Sequence, residues 1–162
     1  MTKSIMHILF SVMVVAGAIM PVQAAQDDAP KVVYHADFSD PRRMSAMITS
    51  INNMVTTYQS DLVEYDVRIV FVSHGIRFLT KDKLEKTPFA EDKELAERRD
   101  NIMQRLFSLQ DVMGVKLELC DITRQAIRLD PGKLMKDVKL VRSGVVRIAE
   151  LQRQGFAYIK IE

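Results

Sequence analysis

Short runs of β-branched and aromatic residues alternate along this chain with segments of helical periodicity, and this alternation constrains the fold more than any other feature. In the first helical segment, Met44, Met47 and Ile51 recur at steps of three and four, which places them on one face of a helix. Regular β–α alternation is typical of a mainly parallel sheet with helices on both faces. Strands are predicted at residues 31–35, 67–73, 115–119, 138–141 and 156–161.

Residues that favour helix ends bound the segments between these strands. Asp40 and Pro41 suit the cap and first position of a helix that runs to about Ser60. Gly114 suits the end of a second, long helix, and Ser143 and Gly155 suit the start and stop of the last one. A short helix is predicted over 123–129. Residues 76–92 are predicted as a loop with about one helical turn, and the charged run 81–99 as a solvated loop and helix face.

The N-terminus has the three parts of a secretory signal: a basic start with Lys3, an apolar core, and an exit with small residues at Val22 and Ala24. The apolar core spans roughly 15 residues, which is short for a membrane anchor of about 20. An uncleaved anchor is the alternative. We therefore predict a signal peptide over 1–24, a flexible lead-in over 25–30, one α/β domain over 31–162, and a periplasmic protein with no membrane association after cleavage.

The charge balance argues against nucleic acid as a partner. The formal net charge is +2, and the signal segment holds Lys3 and no acidic residue, so the exported chain is close to neutral. Acidic and basic residues also interleave instead of forming a basic patch.

Cys120 is the one cysteine of the sequence, so no disulfide can form within the chain. In an oxidising compartment an unpaired thiol is either buried and inert or is kept for chemistry or intermolecular pairing. The sequence around Cys120 is therefore needed to distinguish between these roles.

Three chemically capable side chains follow predicted strands: His35 after the first, His74 after the second, and Cys120 after the third. Ligands of open α/β sheets bind beyond the carboxyl ends of the strands, so these side chains form a candidate site if the strands are neighbours. A helix start after Cys120, with Arg124 and Arg128 in the next two turns, favours a thiolate, whereas Asp121 opposes it. A thiolate there could accept sulfur as a persulfide.

Structural roles compete with this reading. Cys120 could be a small buried hydrophobe, and each histidine could simply bond a loop carbonyl. A zinc or copper site of His35, His74 and Cys120 is another alternative, although no spacing matches a metal motif. The sequence also contains no GxGxxG, GxxxxGK[ST], CxxC or HExxH motif.

The order and spacing of several short segments resembles the DsrE/DsrF family of sulfur-relay proteins, in particular its small members with a signal peptide. Arg128 stands where such proteins often have glycine. The segments together span residues 31–161: KVVYH at 31–35, IVFVSHG at 69–75 before Phe78-Leu79, GVKLELC at 114–120 before Thr123, SGVV at 143–146, and Leu151-Gln152 continuing through GFAYIK at 155–160.

The resemblance implies a three-layer α/β/α sandwich with a five-stranded parallel sheet and a homo-oligomer, a trimer or hexamer. It also implies that Cys120 holds a persulfide and passes the sulfur to a partner protein. On this hypothesis, His74 and His35 at the neighbouring strand ends shape the pocket and are candidates for proton transfer. No metal or organic cofactor is expected. The sulfur donor and recipient stay open, as does the question of whether the chain is an enzyme. The alternatives are a non-catalytic ligand- or metal-binding module and a structural oligomer subunit.

Overall fold

The fold was obtained as a computed structural model, which describes residues 29–162. The predicted signal peptide and most of the lead-in lie outside these residues. The described part is an open sheet of five strands in the order β4-β3-β2-β1-β5, and every neighbouring pair is parallel. The strands are β1 Lys31–Ala36, β2 Asp66–Phe71, β3 Lys116–Cys120, β4 Lys139–Val141 and β5 Ala157–Ile159.

Four α-helices connect the strands, and their ends follow the capping residues of the sequence. Asp40 accepts hydrogen bonds from the backbone amides of Arg42 and Arg43 at the start of the first helix, and Asp92 caps the second through Leu95. Within residues 29–162, no helix is long and apolar enough to cross a membrane. The helices are α1 Pro41–Ser60, α2 Lys93–Asp111, α3 Asp121–Ala126 and α4 Gly144–Arg153.

The two faces of the sheet are covered unequally. On one face, α1 and α2 supply most of a large apolar core, which also takes in Leu129 after α3 and side chains of the segment 134–140. On the other face, α4 is the one helix of residues 29–162 that packs on the sheet, where Ile148 and Leu151 meet Val33 and Val70. The predicted α/β fold with helices on both faces of a parallel sheet is confirmed.

The second strand is shorter than predicted, because the chain turns sharply after Phe71. A 3₁₀ helix spans Ser73–Phe78, inside a region where the sequence had suggested strand and then loop. Gly75 permits this turn: a Cβ there would lie 2.2 Å from the carbonyl oxygen of Ala36. The short helix after Cys120 also begins earlier than predicted, at Asp121.

The charged run 81–99 is not solvated throughout, as the sequence had suggested. Arg99 is buried on α2, pairs with Glu91 at 3.0 Å, and donates to the carbonyl oxygens of Thr80 and Arg77. The buried side chain of Arg77 bonds the Ala90 carbonyl oxygen at 2.9 Å. These arginines satisfy backbone groups of the loop, which explains why a polar segment packs against the core.

Candidate functional site

The connections that leave β3 and β4 pass over opposite faces of the sheet. The segment after β3 packs with the α1–α2 core, whereas α4, which follows β4, packs on the other face. In an open parallel sheet this divergence opens a crevice at the carboxyl ends of the two strands, where ligands bind. Cys120 is the last residue of β3 and pairs with Val141, the last residue of β4. The sheet topology therefore places Cys120 at the switch point.

The sulfur of Cys120 is surrounded by hydrogen-bond donors. The residue is 5% exposed and occupies the N-cap position of α3. Burial raises the pKa of the Cys120 thiol, but hydrogen bonds from the Gly144 amide, the Thr123 amide and hydroxyl, and the Ile122 amide outweigh it. The net effect is a pKa below the ordinary value for cysteine, which favours the nucleophilic thiolate.

The hydroxyl of Thr123 links the thiol to the turn after β2. Its oxygen accepts a hydrogen bond from the backbone amide of Ser73 at 3.1 Å. Because that amide occupies the oxygen as an acceptor, the hydroxyl proton is free to point at the Cys120 sulfur, in agreement with its effect on the thiol pKa. Thr123 is itself 8% exposed, so this bond lies in a desolvated environment.

The first turn of α4 closes the site from the other side. A Cβ on Gly144 would lie 2.5 Å from Val72 Cγ2 and 3.1 Å from Cys120 Cβ. Only a glycine lets the helix backbone come this close, and the close approach brings its amide to the sulfur. The donors of Cys120 thus come from two different helices.

The two nearest charges of α3 cancel each other. Arg124 Nε bonds Asp121 Oδ1 at 2.6 Å, and its Nη1 donates to the Leu129 carbonyl oxygen at 2.7 Å. The sequence predicted that Arg124 favours the thiolate and that Asp121 opposes it. In the structure, neutral donors lower the pKa of Cys120 instead. Arg128 lies past the end of α3 with a φ of +53°, a left-handed conformation that explains why glycine suits this position.

His35 belongs to the β1–β5 side of the sheet. Its Nδ1 lies 3.0 Å from the Tyr158 hydroxyl, and its Nε2 is buried 3.9 Å from Asp37 Oδ2. Burial lowers the pKa of His35, and Lys160 adds to this, while Asp37 opposes it. Since β2 stands between β1 and β3, the backbones of β1 and β3 are roughly 10 Å apart. The structure pairs His35 with Tyr158 and not with the thiol.

His74 sits in the 3₁₀ helix after β2. Its Nδ1 lies 3.3 Å from Ser73 Oγ, and its ring packs edge-on against Phe89 with centroids 5.2 Å apart. Because the Ser73 amide bonds Thr123, His74 is connected to the thiol through Ser73 and Thr123. Across residues 29–162, no group of three or more His, Cys, Asp or Glu side chains is close enough to hold a metal ion.

Sequence reasoning named Cys120 and missed the groups that surround it. Thr123 and Gly144 stood within resembling segments, but Thr123 was not assigned a role, and the approach of Gly144 to Cys120 depends on packing between distant segments. A small residue directly after a helix-capping serine was the available signal for Gly144. The geometry defines an all-parallel α/β protein with a buried, hydrogen-bonded thiol at its topological switch point.

Comparisons with known proteins identify the family. The sequence matches the DsrE/DsrF-like family over residues 31–161, and the chain belongs to that family. A solved protein of unknown function from Methanobacterium thermoautotrophicum is similar, with a TM-score of 0.61 and 26% identity, over 81% of this chain and 98% of that one. The ychN protein from E. coli shares the fold at a TM-score of 0.53 and 16% identity, over 82% and 99%. No curated protein matches the chain significantly.

Proposed function

We propose that the protein carries sulfur as a persulfide on Cys120 and passes it to a partner protein. The observation that carries this proposal is the set of donors that lowers the pKa of a thiol placed at the switch point. The resemblance to sulfur-relay proteins supports the same role. The site needs no metal or organic cofactor for this chemistry, because the thiolate itself is the nucleophile.

The loading step balances with a sulfane sulfur donor such as thiosulfate. The Cys120 thiolate attacks the outer sulfur of thiosulfate, a new S–S bond forms to the protein, and the S–S bond of thiosulfate breaks. Sulfite leaves with the electron pair, and the protein keeps a persulfide anion. A recipient thiolate would then attack the outer sulfur and return Cys120 to the thiolate form.

The test is to incubate the chain from Ala25 onward with thiosulfate or polysulfide and to measure its intact mass. We expect a gain of one sulfur atom that dithiothreitol removes. Oxidation to a sulfinic acid adds nearly the same mass, but that product resists the reductant. Cys120→Ser is the control and gains nothing. No reversible gain with either donor, together with a native thiol inert to iodoacetamide, would refute the proposal.

We also propose that His74 and His35 line the pocket and transfer protons. Their contacts predict unequal effects of their substitution on the rate of sulfur loading. We expect His74→Ala to slow sulfur loading several-fold, because His74 is tied to Ser73 and so to Thr123. His35→Ala should change loading less, since its partner is Tyr158. Loading rates measured by intact mass separate the two. Equal loading rates in His74→Ala and His35→Ala would contradict a role for His74 in sulfur loading.

We further propose that the protein acts in the periplasm as a homo-oligomer, after loss of residues 1–24. Cell fractionation with N-terminal sequencing of the purified protein tests the first part, and an N-terminus at Ala25 is expected. Light scattering on the same sample tests the second part, with the mass of a trimer or hexamer expected. An intact leader in the cytoplasmic fraction, or a monomer, would contradict the respective part.

A further inference from the structure

A buried ionic cluster lies beneath α4 on the same sheet face as Cys120. Glu118 precedes Cys120 by two residues on β3 and is 1% exposed. Arg147 Nε donates to its Oε2 at 2.6 Å, and Arg147 Nη2 and Arg68 Nη1 each donate to its Oε1 at 3.0 Å. Burial raises the pKa of Glu118, but the two arginines outweigh it and hold the carboxyl ionised. We call Glu118, Arg68 and Arg147 the Glu118 cluster.

The Glu118 cluster is attached directly to the turn that touches the thiol. The backbone amide of Arg147 donates to the Ser143 carbonyl oxygen at 2.9 Å and so closes the first turn of α4. Gly144 lies within that turn and packs directly on Cys120, since a Cβ on Gly144 would lie 3.1 Å from Cys120 Cβ. A side chain that fixes Arg147 to the sheet therefore fixes the Gly144 amide as well.

Apolar contacts do little to hold this end of the helix. The side chains of α4 in the second apolar core are Ile148 and Leu151, both beyond the first turn of the helix. In the first turn, Val145 and Val146 are 60% and 54% exposed. The first turn thus rests on the sheet through the close approach of Gly144 and the contact between Arg147 and Glu118.

A buried ion pair is a weak source of net stability, because both charges lose their hydration. The two parallel hydrogen bonds between Arg147 and Glu118 do fix the distance and orientation of these side chains, whereas an apolar contact has no such directionality. The geometry points to Glu118 as a positioning residue for Cys120: its bidentate contact with Arg147 holds the first turn of α4 so that the Gly144 amide stays directed at the sulfur. This inference rests on the proposed function, since sulfur transfer needs the thiolate.

Charge alone would act on the thiol in the opposite direction. Removing the negative charge of Glu118 favours a nearby thiolate through simple Coulomb interaction and lowers the thiol pKa. Loss of the Gly144 hydrogen bond raises it. The sign of the change in the Cys120 pKa therefore distinguishes a positioning role of Glu118 from a purely electrostatic one. Other charged or titratable groups on the elements around Cys120 include Asp121 and Arg124 on α3, His74 after β2, Arg142 before α4, Lys116 on β3, Asp66 on β2, Lys139 on β4 and Glu150 on α4.

The experiment compares Glu118→Gln and Arg147→Lys with the wild-type chain from Ala25 onward. The thiol pKa is measured from the pH dependence of thiolate absorbance and of iodoacetamide alkylation. Arg147→Lys keeps the positive charge but loses the two-pronged contact. Glu150→Gln is the matched control, because Glu150 also faces Arg147, at 3.7 Å, but is 44% exposed. Circular dichroism checks that each variant is folded.

For Glu118→Gln we expect the thiol pKa to rise by about one unit, which slows alkylation about tenfold at a pH below both values. Arg147→Lys should shift it in the same direction by less, and Glu150→Gln should leave it unchanged. A lowered or unchanged pKa in folded Glu118→Gln would overturn the inference. If that variant does not fold, an unchanged pKa in Arg147→Lys overturns it. No sulfur donor enters this measurement, so absent sulfur loading with the expected pKa shifts would count against the proposed function alone.

Discussion

At the scale of single residues, the sulfur of Cys120 is surrounded by neutral donors instead of cations. Amides of Gly144, Thr123 and Ile122 and the Thr123 hydroxyl lower the thiol pKa against the opposing effect of burial. Neutral donors are fixed by the backbone, so they act without mobile charged side chains beside the nucleophile. A single substitution can remove the Thr123 hydroxyl, and another can displace the backbone of Gly144, so these two donors can be tested separately.

Thr123→Val tests the hydroxyl. Valine keeps the shape of threonine but cannot donate to the sulfur or accept from the Ser73 amide. We expect a higher Cys120 pKa and a loss of about 1 kcal/mol in the free energy of unfolding. Thiolate titration and urea unfolding measure the two effects. Thr123→Ser, which retains the hydroxyl, should stay close to wild type, and an equal pKa shift in both variants would contradict this role.

Gly144→Ala tests the close approach of α4. The new methyl group would meet Val72 and Cys120 at distances that require the helix to move. We expect the Cys120 pKa to rise and the protein to lose about 1–3 kcal/mol, although alanine is the better helix former. Val145→Ala, at the exposed next position, is the control. An unchanged thiol pKa in Gly144→Ala would show that its amide is not a donor.

At the scale of elements, the end of α1 contains a strained residue. Leu62 has a φ of +56° and is 92% exposed. The amides of Leu62 and Val63 bond the carbonyl oxygens of Gln59 and Tyr58, a helix-terminating pattern in which glycine is preferred at the Leu62 position. The helix thus ends in a local hydrogen-bonded turn whose left-handed residue is a leucine, a side chain that this conformation disfavours.

Leu62→Gly should therefore stabilise the protein. Relief of the left-handed strain exceeds the added freedom of glycine in the unfolded chain, so we expect a gain of about 1 kcal/mol and a melting temperature higher by about 4 °C. Asp61→Gly is the control: its φ is −86°, no strain is relieved, and stability should fall. Calorimetry measures both. Destabilisation by Leu62→Gly would show that the exposed leucine contributes contacts elsewhere.

At the scale of the whole molecule, stability should decrease on acidification in two stages. Burial lowers the pKa of His35 below its ordinary 6.5, so the unfolded chain binds a proton that the folded chain resists as the pH falls below 6.5. Glu118 has a folded pKa held below its ordinary 4.5, so its contribution is present above 4.5 and is lost as the pH falls further. These two groups therefore make the protein more stable at neutral pH than in acid.

His35→Gln separates the two stages. Glutamine stays neutral, so the melting temperature of the variant should change less between pH 7 and pH 5 than that of the wild type. The decline below pH 4.5 should remain, because the Glu118 cluster is unchanged. Differential scanning calorimetry across this range provides the measurement. An identical slope for both proteins between pH 7 and pH 5 would exclude His35 as the source of the first stage.

The sequence by itself determined the alternation of strands and helices, the cap at Asp40, the start of α4 after Ser143, and the position of Cys120 at the end of a strand. These features depend on residues close together in the chain, whose periodicity and backbone preferences are readable without the fold. Strand ends were predicted less accurately. The predicted second strand ran to residue 73, but β2 stops at Phe71 because Gly75 must fit against Ala36, a contact between distant segments.

Only the tertiary structure decided which strand-end residues share a site. All three candidates lie at or just beyond the carboxyl ends of parallel strands, but the connections diverge between β3 and β4, which places Cys120 at the switch point and leaves His35 with Tyr158. Gly144, and Arg147 of the Glu118 cluster, reach β3 only because α4 crosses the sheet. Such contacts follow from packing between segments far apart in the chain, which no local pattern of residues encodes.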